Sequence, residues 1–306
     1  MLYSFKVFTE PLADFTRFVL ESSGRLYPFV MAKGDREHYY LNVPMQERPV
    51  LYGPGPQVRE ELSFGNDPFT TLEQEDYDDN QRLTSEGDVK FRVVVRGEPT
   101  HAIVMFPPYR GNRGFAAPYG VVAAEKFGFD DCLFISFQDP YFANGSYMLA
   151  TNSGLDPRQQ IVGIIRKYLA SYSLSDSEVT MIGSSKGANI AALISPYFDD
   201  NQLILSGYAT DIRGWVEHNG QASLISSLDY YEIDFPDALS LLRFEGSRKE
   251  THWFYSVGDD LANGGHEDLS EPNLLSYACQ EPHGTLFRDR WDQFEVLIGQ
   301  RIARMA

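Results

Sequence analysis

The sequence predicts an α/β fold. A mostly parallel sheet with helices on both faces is expected over about Leu83–Ala306, preceded by a small β-rich region over residues 1–82. Two observations carry this. After Gly87, short apolar runs alternate with stretches of helical spacing, the order that builds a parallel sheet covered on both faces. Before it, the chain is aromatic and broken into short extended runs by glycine and proline.

In the first region, Leu2–Phe8, Leu26–Met31 and His38–Val43 read as strands, and residues 49–56 as a turn-rich connection. Residues 73–80 are acidic and poor in apolar side chains, which marks a linker. Beyond it, Val89, Phe91, Val93 and Val95 alternate with Lys90, Arg92 and Arg96, as in a strand with one wetter face. Ala102–Phe106 is apolar throughout, as a strand buried on both faces should be. Similar runs follow at Cys132–Phe137, Val179–Ile182, Leu203–Ser206, Trp253–Val257 and Leu274–Cys279. Helices are expected at Tyr119–Phe127, along the stripe Ile161, Ile164, Ile165, Tyr168 and Leu169, at Ala188–Ile194, and at Trp291–Ile302. Asp211–Glu250 breaks the alternation where an inserted lid could sit.

Composition excludes several classes of function. Hydrophobic residues make up 43% of the 306 and charged residues 23%, which rules out disordered and collagen-like chains. There are 43 acidic and 26 basic side chains, a net charge of −17 that repels phosphate backbones, so nucleic acid is not an expected partner. Two cysteines, Cys132 and Cys279, are too few for a disulfide framework and suit a reducing compartment. No stretch approaches the roughly 20 apolar residues of a membrane-spanning helix. Lys6, Glu10, Asp14 and Arg17 interrupt the apolar run that a signal peptide would need. A soluble cytoplasmic protein is expected. Asp76–Asn80 fails as a calcium loop, with Gln81 where glycine is needed and Gly87 where glutamate belongs. His266-Glu267 lacks the second histidine of a zinc helix. No metal or cofactor is expected.

The chemistry concentrates at Gly183-Ser184-Ser185-Lys186-Gly187, where a β-branched strand runs straight into an alanine-rich helix. Such a turn is tight, so small residues flank a serine held clear of the sheet at a helix N-terminus. Ser185 is the expected nucleophile, with Ser184 second, and the Lys186 backbone N–H is an expected oxyanion donor. A phosphate loop is excluded, because only three residues separate the glycines and no Lys-Ser/Thr follows. Of six histidines, His283 follows the run Leu274–Cys279 and so belongs on a loop at the carboxyl end of the sheet; His266 is second. His101 and His252 start strands, at the wrong end for a ligand site. The orienting acid is expected at Asp260, with Asp259 nearly as good and Asp211 a distant third. The second oxyanion donor should lie on the loop after Ala102–Phe106. Pro107 and Pro108 have no N–H, which leaves Tyr109 first and Arg110 next; Arg110 could also hold a polar part of the substrate.

With these residues in place, the sequence resembles the α/β-hydrolase superfamily from about Val89 to Met305, through the elbow Gly183–Gly187 and the order Ser185, Asp260, His283. Gly-Ser-Ser-Lys-Gly, the Gln138-Asp-Pro-Tyr segment and the β-rich N-terminal portion are similar to a bacterial subgroup. That subgroup includes the accessory Sec system glycan O-acetyltransferase component and proteins encoded with capsule biosynthesis. Gly187 is followed by Ala188, where close relatives usually have a second glycine. The resemblance implies a serine-dependent acyl-ester or amide hydrolase acting through an acyl-enzyme. The alternatives are a glycan O-acyltransferase of the same fold or a silent interaction protein. The expected partner is a small-molecule or glycan acyl substrate, with the N-terminal region as a docking surface for a protein.

Overall fold

The computed structural model describes residues 84–86, 89–108, 127–139, 141, 145–151, 154–219, 224–225, 228–229, 231–243, 249–259 and 271–305, together with the backbone of the strands within residues 3–63. The early strands are β1 (Tyr3–Thr9), β2 (Phe15–Ser22), β3 (Arg25–Ala32), β4 (His38–Leu41), β5 (Val50–Tyr52) and β6 (Val58–Ser63). They pair antiparallel in two three-stranded sheets, ordered β4-β1-β6 and β3-β2-β5. The region is therefore β-rich, as expected, and β2, β5 and β6 add to the expected strands. The expected linker at 73–80 lies outside the described residues.

The main sheet comprises β7 (Thr84–Glu86), β8 (Val89–Val95), β9 (His101–Phe106), β10 (Cys132–Phe137), β11 (Val179–Ser184), β12 (Gln202–Ser206), β13 (Glu250–Ser256) and β14 (Leu274–Cys279). Its order is β14-β13-β12-β11-β9-β10-β8-β7. β9 to β14 run parallel, and β8 and β7 close one side antiparallel. The chain winds one way from β9 to β10 and the other way from β11 to β14. The switch of direction falls between β9 and β11, where ligand crevices open beyond the carboxyl ends of strands.

Strand periodicity divides the core. Ala102, Val104 and Phe106 face α1 (Arg158–Ser171) and α2 (Lys186–Ile194), in one cluster with Ile161, Ile165 and Ile190. Ile103 and Met105 face the opposite side, in a cluster with Leu286, Phe294 and Ile298. Those three lie on the helices His283–Asp289 and Trp291–Met305. A run that is apolar at every position is thus the signature of a sheet with two covered faces.

Between β12 and β13 lie α3 (Ile212–His218) and α4 (Ala238–Leu241); α5 (His283–Asp289) and α6 (Trp291–Met305) end the chain. The expected insertion ran to Glu250, but Glu250 already opens β13. The expected helix at Tyr119–Phe127 falls outside the described residues except for Phe127, which is not helical and stacks on Trp291 with ring centroids 4.1 Å apart. No helix among the described residues is long and apolar enough to cross a membrane.

Candidate active site

Ser185 stands between β11 and α2 with φ 52° and ψ −121°, a left-handed backbone that L-residues rarely adopt. Its neighbours explain why the turn is possible. A Cβ on Gly183 would collide with the carbonyl of Gly187, and a Cβ on Gly187 would collide with the carbonyl of Phe106 at the end of β9. Glycine is required at both places by close backbone approach. Ser185 is the N-cap of α2, yet its hydroxyl makes no capping bond with the helix. Lys186 opens the first turn of the helix, where backbone N–H groups have no intrahelical acceptor.

The neighbouring strands supply the rest of the site in order. Ser185 N–H donates to Ser206 O at the end of β12 (2.7 Å), and the next residue, Gly207, donates to Phe254 O in β13 (2.8 Å). Gly207 has φ 63°, and a Cβ there would lie 2.8 Å from Cε1 of His283. The imidazole therefore rests on the bare Cα beside the residue that holds Ser185. His283 Nδ1 lies 2.6 Å from Asp259 Oδ2, on the turn after β13. Both ring nitrogens are buried, and Nε2 has no polar partner among the described residues. The ring is also covered by Trp215 of α3, 4.6 Å away between centroids. Burial pulls the His283 pKa below 6.5, with the Asp259 carboxylate pulling it partly back up. Burial thus favours the neutral ring over the imidazolium.

The structure brings Ser185, the Lys186 backbone and His283 to one end of the sheet. His283 is the first residue of a helix rather than part of a loop, with Pro282 as its N-cap. The carboxylate on the imidazole is that of Asp259; Asp260, the sequence's first choice, lies outside the described residues, as do Tyr109, Arg110 and His266. Asp211 caps α3 by accepting from Gly214 N–H (2.9 Å). His101 and His252 are buried at the starts of β9 and β13.

A cleft of about 540 Å³ is lined by residues 210–213 and 234–238. Its rim holds three exposed carboxylates, Asp211, Asp234 and Asp237. Arg213, the cation in its lining among the described residues, is shared with Glu217 and Asp229. The helix that forms one wall carries Trp215 onto His283. The sequence missed α3, although the N-cap Asp211 with Ile212, Trp215 and Val216 at helical spacing was a signal for it. Among the described residues no group of His, Cys, Asp and Glu is arranged to hold a metal ion.

No family model and no curated protein matches the chain. Solved structures do. The capsule O-acetyltransferase of Neisseria meningitidis serogroup A superposes with a TM-score of 0.56 at 15% identity, over 75% of this chain and 99% of that one. The fold is that of the α/β-hydrolases. A histidine-to-alanine mutant of the same transferase in complex with CoA gives a TM-score of 0.54 at 14% identity, over 75% of this chain and 99% of that one. The glycosylation-associated Gap123 complex of Streptococcus agalactiae gives 0.49 at 12% identity, over 97% of this chain and 62% of that one.

Proposed function

We propose that the protein is a serine-dependent acyl-ester hydrolase working through an acyl-enzyme. One observation carries the reading: a serine on a left-handed elbow, its hydroxyl making no capping bond, stands one hydrogen bond from Ser206-Gly207, on which an aspartate-backed histidine rests. Ser185 Oγ attacks the acyl carbonyl carbon while its proton passes to His283 Nε2. Asp259 holds the proton on Nδ1, which keeps Nε2 free to accept one and stabilises the imidazolium that forms. The tetrahedral intermediate collapses as His283 returns the proton to the departing oxygen. Water, deprotonated by the same nitrogen, then releases the acid and restores Ser185.

The oxyanion is received by the Lys186 N–H and, on this reading, by Tyr109 N–H. The end of β9, at Phe106 and Pro107, lies directly against Gly187, which supports seeking the second donor in the residues that follow. Each such donor is worth about 2.7–4 kcal/mol in the transition state. Arg110, on the same loop, holds a polar part of the substrate. The segment after β12 serves as the lid, and its acidic rim favours a neutral, short-acyl or sugar-linked substrate over an anionic donor. A sugar hydroxyl in place of water turns the same sequence of steps into O-acyl transfer. The fold shared with the capsule O-acetyltransferase keeps that second reading open as analogy. The N-terminal region is then available to dock a protein partner. Two free, buried cysteines suit a cytoplasmic setting.

The test is labelling with a fluorophosphonate. Ser185 is the residue expected to carry the label, with Ser184→Ala labelled normally and Ser185→Ala not at all. Persistent labelling of Ser185→Ala protein would reject the nucleophile. Incubation with an acetyl ester and a sugar acceptor, followed by product analysis, separates hydrolysis from transfer.

A further inference from the structure

Two charged side chains at this end of the sheet have no part in the mechanism above. Lys186 is read there only through its backbone N–H, yet its side chain is 0% exposed, with Nζ 2.9 Å from Oδ2 of an Asp139 that is also 0% exposed. Asp139 lies just past β10, on the far side of β9 from the serine strand. Its carboxylate is filled from every side. Oδ1 accepts from Ser146 N–H (2.9 Å) and Ser146 Oγ (3.3 Å), and Oδ2 accepts from Tyr147 N–H (2.9 Å) as well as from Lys186.

The turn that supplies these donors is unusual. Tyr147 and Met148 both have left-handed backbones, at φ 58° and 55°, and Gly145, at φ 85°, leaves no room for a Cβ beside Nζ and the carboxylate. Backbone held in such regions persists only where the surroundings fix it. Tyr147 in turn meets Phe235, in the wall of the cleft, edge to face at 6.3 Å.

We infer that Asp139 is a positioning residue: it holds the Lys186 side chain, and through it the Lys186 backbone N–H, where the oxyanion forms. This rests on the proposed serine mechanism. An ion pair buried away from water has few ways to rearrange, because either charge alone would be stranded. The residue after the nucleophile is thereby tied to a second strand end. The effect belongs to the transition state, since a donor aimed at the developing oxyanion acts little on the ground state, and a misplacement of about 1 Å costs on the order of a hundredfold in rate.

The experiment compares wild type, Asp139→Asn and the charge-neutral double variant Asp139→Asn/Lys186→Met on p-nitrophenyl acetate, with thermal unfolding and circular dichroism as checks of folding. The double variant strands no charge, so it keeps the question answerable if the single variant does not fold. Folded variants should lose about a hundredfold in kcat with KM within about twofold. Their inhibition constant for a trifluoromethyl ketone, which forms an oxyanion on the serine, should rise in proportion to the loss in kcat/KM. A folded double variant with wild-type kcat and unchanged ketone affinity overturns the positioning role while leaving the serine mechanism intact. Wild-type protein that neither hydrolyses the ester nor takes a fluorophosphonate on Ser185 overturns the mechanism, and this role with it.

Discussion

The two ends of the parallel sheet carry the same kinds of side chain and use them differently. At the amino end, Thr180 donates its hydroxyl proton to Gln202 Oε1 (2.9 Å), so His101 Nε2 must donate to Thr180 Oγ1 (2.9 Å). His252 Nε2 faces Glu250 Oε1 at 2.9 Å, and its Nδ1 accepts from Tyr277 Oη at 3.1 Å. A hydroxyl, a histidine and a carboxylate are all present there. Yet the hydroxyl sits on regular strand, already bonded on both sides. At the carboxyl end, Ser185 is strained and its hydroxyl makes no capping bond, and His283 Nε2 is buried without a partner among the described residues. Burial lowers the pKa of all three histidines, His101 to about 3, His252 and His283 by less, so a perturbed pKa does not separate the two ends. What separates them is where the chain changes direction, since ligand crevices form beyond the carboxyl ends of strands at such a switch.

The sharpest way to break the comparison is Ser185→Ala. If the carboxyl end is the site, turnover of p-nitrophenyl acetate should fall by about 10⁶, as for loss of a serine nucleophile, with folding unchanged. Asp259→Asn comes next, with an expected loss of about 10⁴, while Asp260→Asn should cost less than about tenfold. The Asp259 variant also has a signature in pH. Asp259 raises the His283 pKa against the larger effect of burial. The acid limb of kcat/KM should lie below pH 6.5 in the wild type and move lower still in Asp259→Asn. A limb that moves up, or stays, removes Asp259 from the imidazole. Gly207→Ala should cost roughly a hundredfold, because the added methyl displaces the His283 ring. An unaffected kcat would mean that the ring does not rest on Gly207 during turnover.

The sequence made one end of this contrast readable and left parts of it out of reach. The strands were legible because burial on both faces forces consecutive apolar residues, as at Ala102–Phe106 and Cys132–Phe137. Ser185 was legible because two glycines around a serine, between strand and helix, leave few other geometries. The choice between Asp259 and Asp260 was not, since neighbouring residues in a turn point apart according to dihedrals that no local pattern records. α5 was read as loop because seven residues after a proline are too few to show a helical period. The Lys186–Asp139 pair was hidden for another reason: charged residues are assigned to the surface by default, and the partners are 47 positions apart.

Trp215→Ala tests how far the cover over His283 matters. The indole lies on the imidazole and contributes to the burial that lowers its pKa. Removing it should let water in, raise the His283 pKa toward 6.5 and move the acid limb upward, opposite in sign to Asp259→Asn. Turnover on the plateau should fall by less than about tenfold, because no reacting group is lost. A downward shift would show that Trp215 does not shield the ring.

The smallest effect on turnover is expected at the other end of the sheet. Thr180→Val removes the hydroxyl that His101 and Gln202 share, and leaves a buried ring N–H and a buried amide oxygen without that partner. A buried polar group left unpaired costs about 1–3 kcal/mol, so unfolding should shift by an amount of that order. Thr180 sits at the start of β11, whereas Ser185 follows the strand's last residue, Ser184, so the length of the strand separates the two hydroxyls. Steady-state assays well below the unfolding transition should therefore give kcat within about twofold of wild type. If Thr180→Val instead lowered kcat about a hundredfold while folding held, the amino-end network would be acting on the site through β11, and the two ends could no longer be treated as independent.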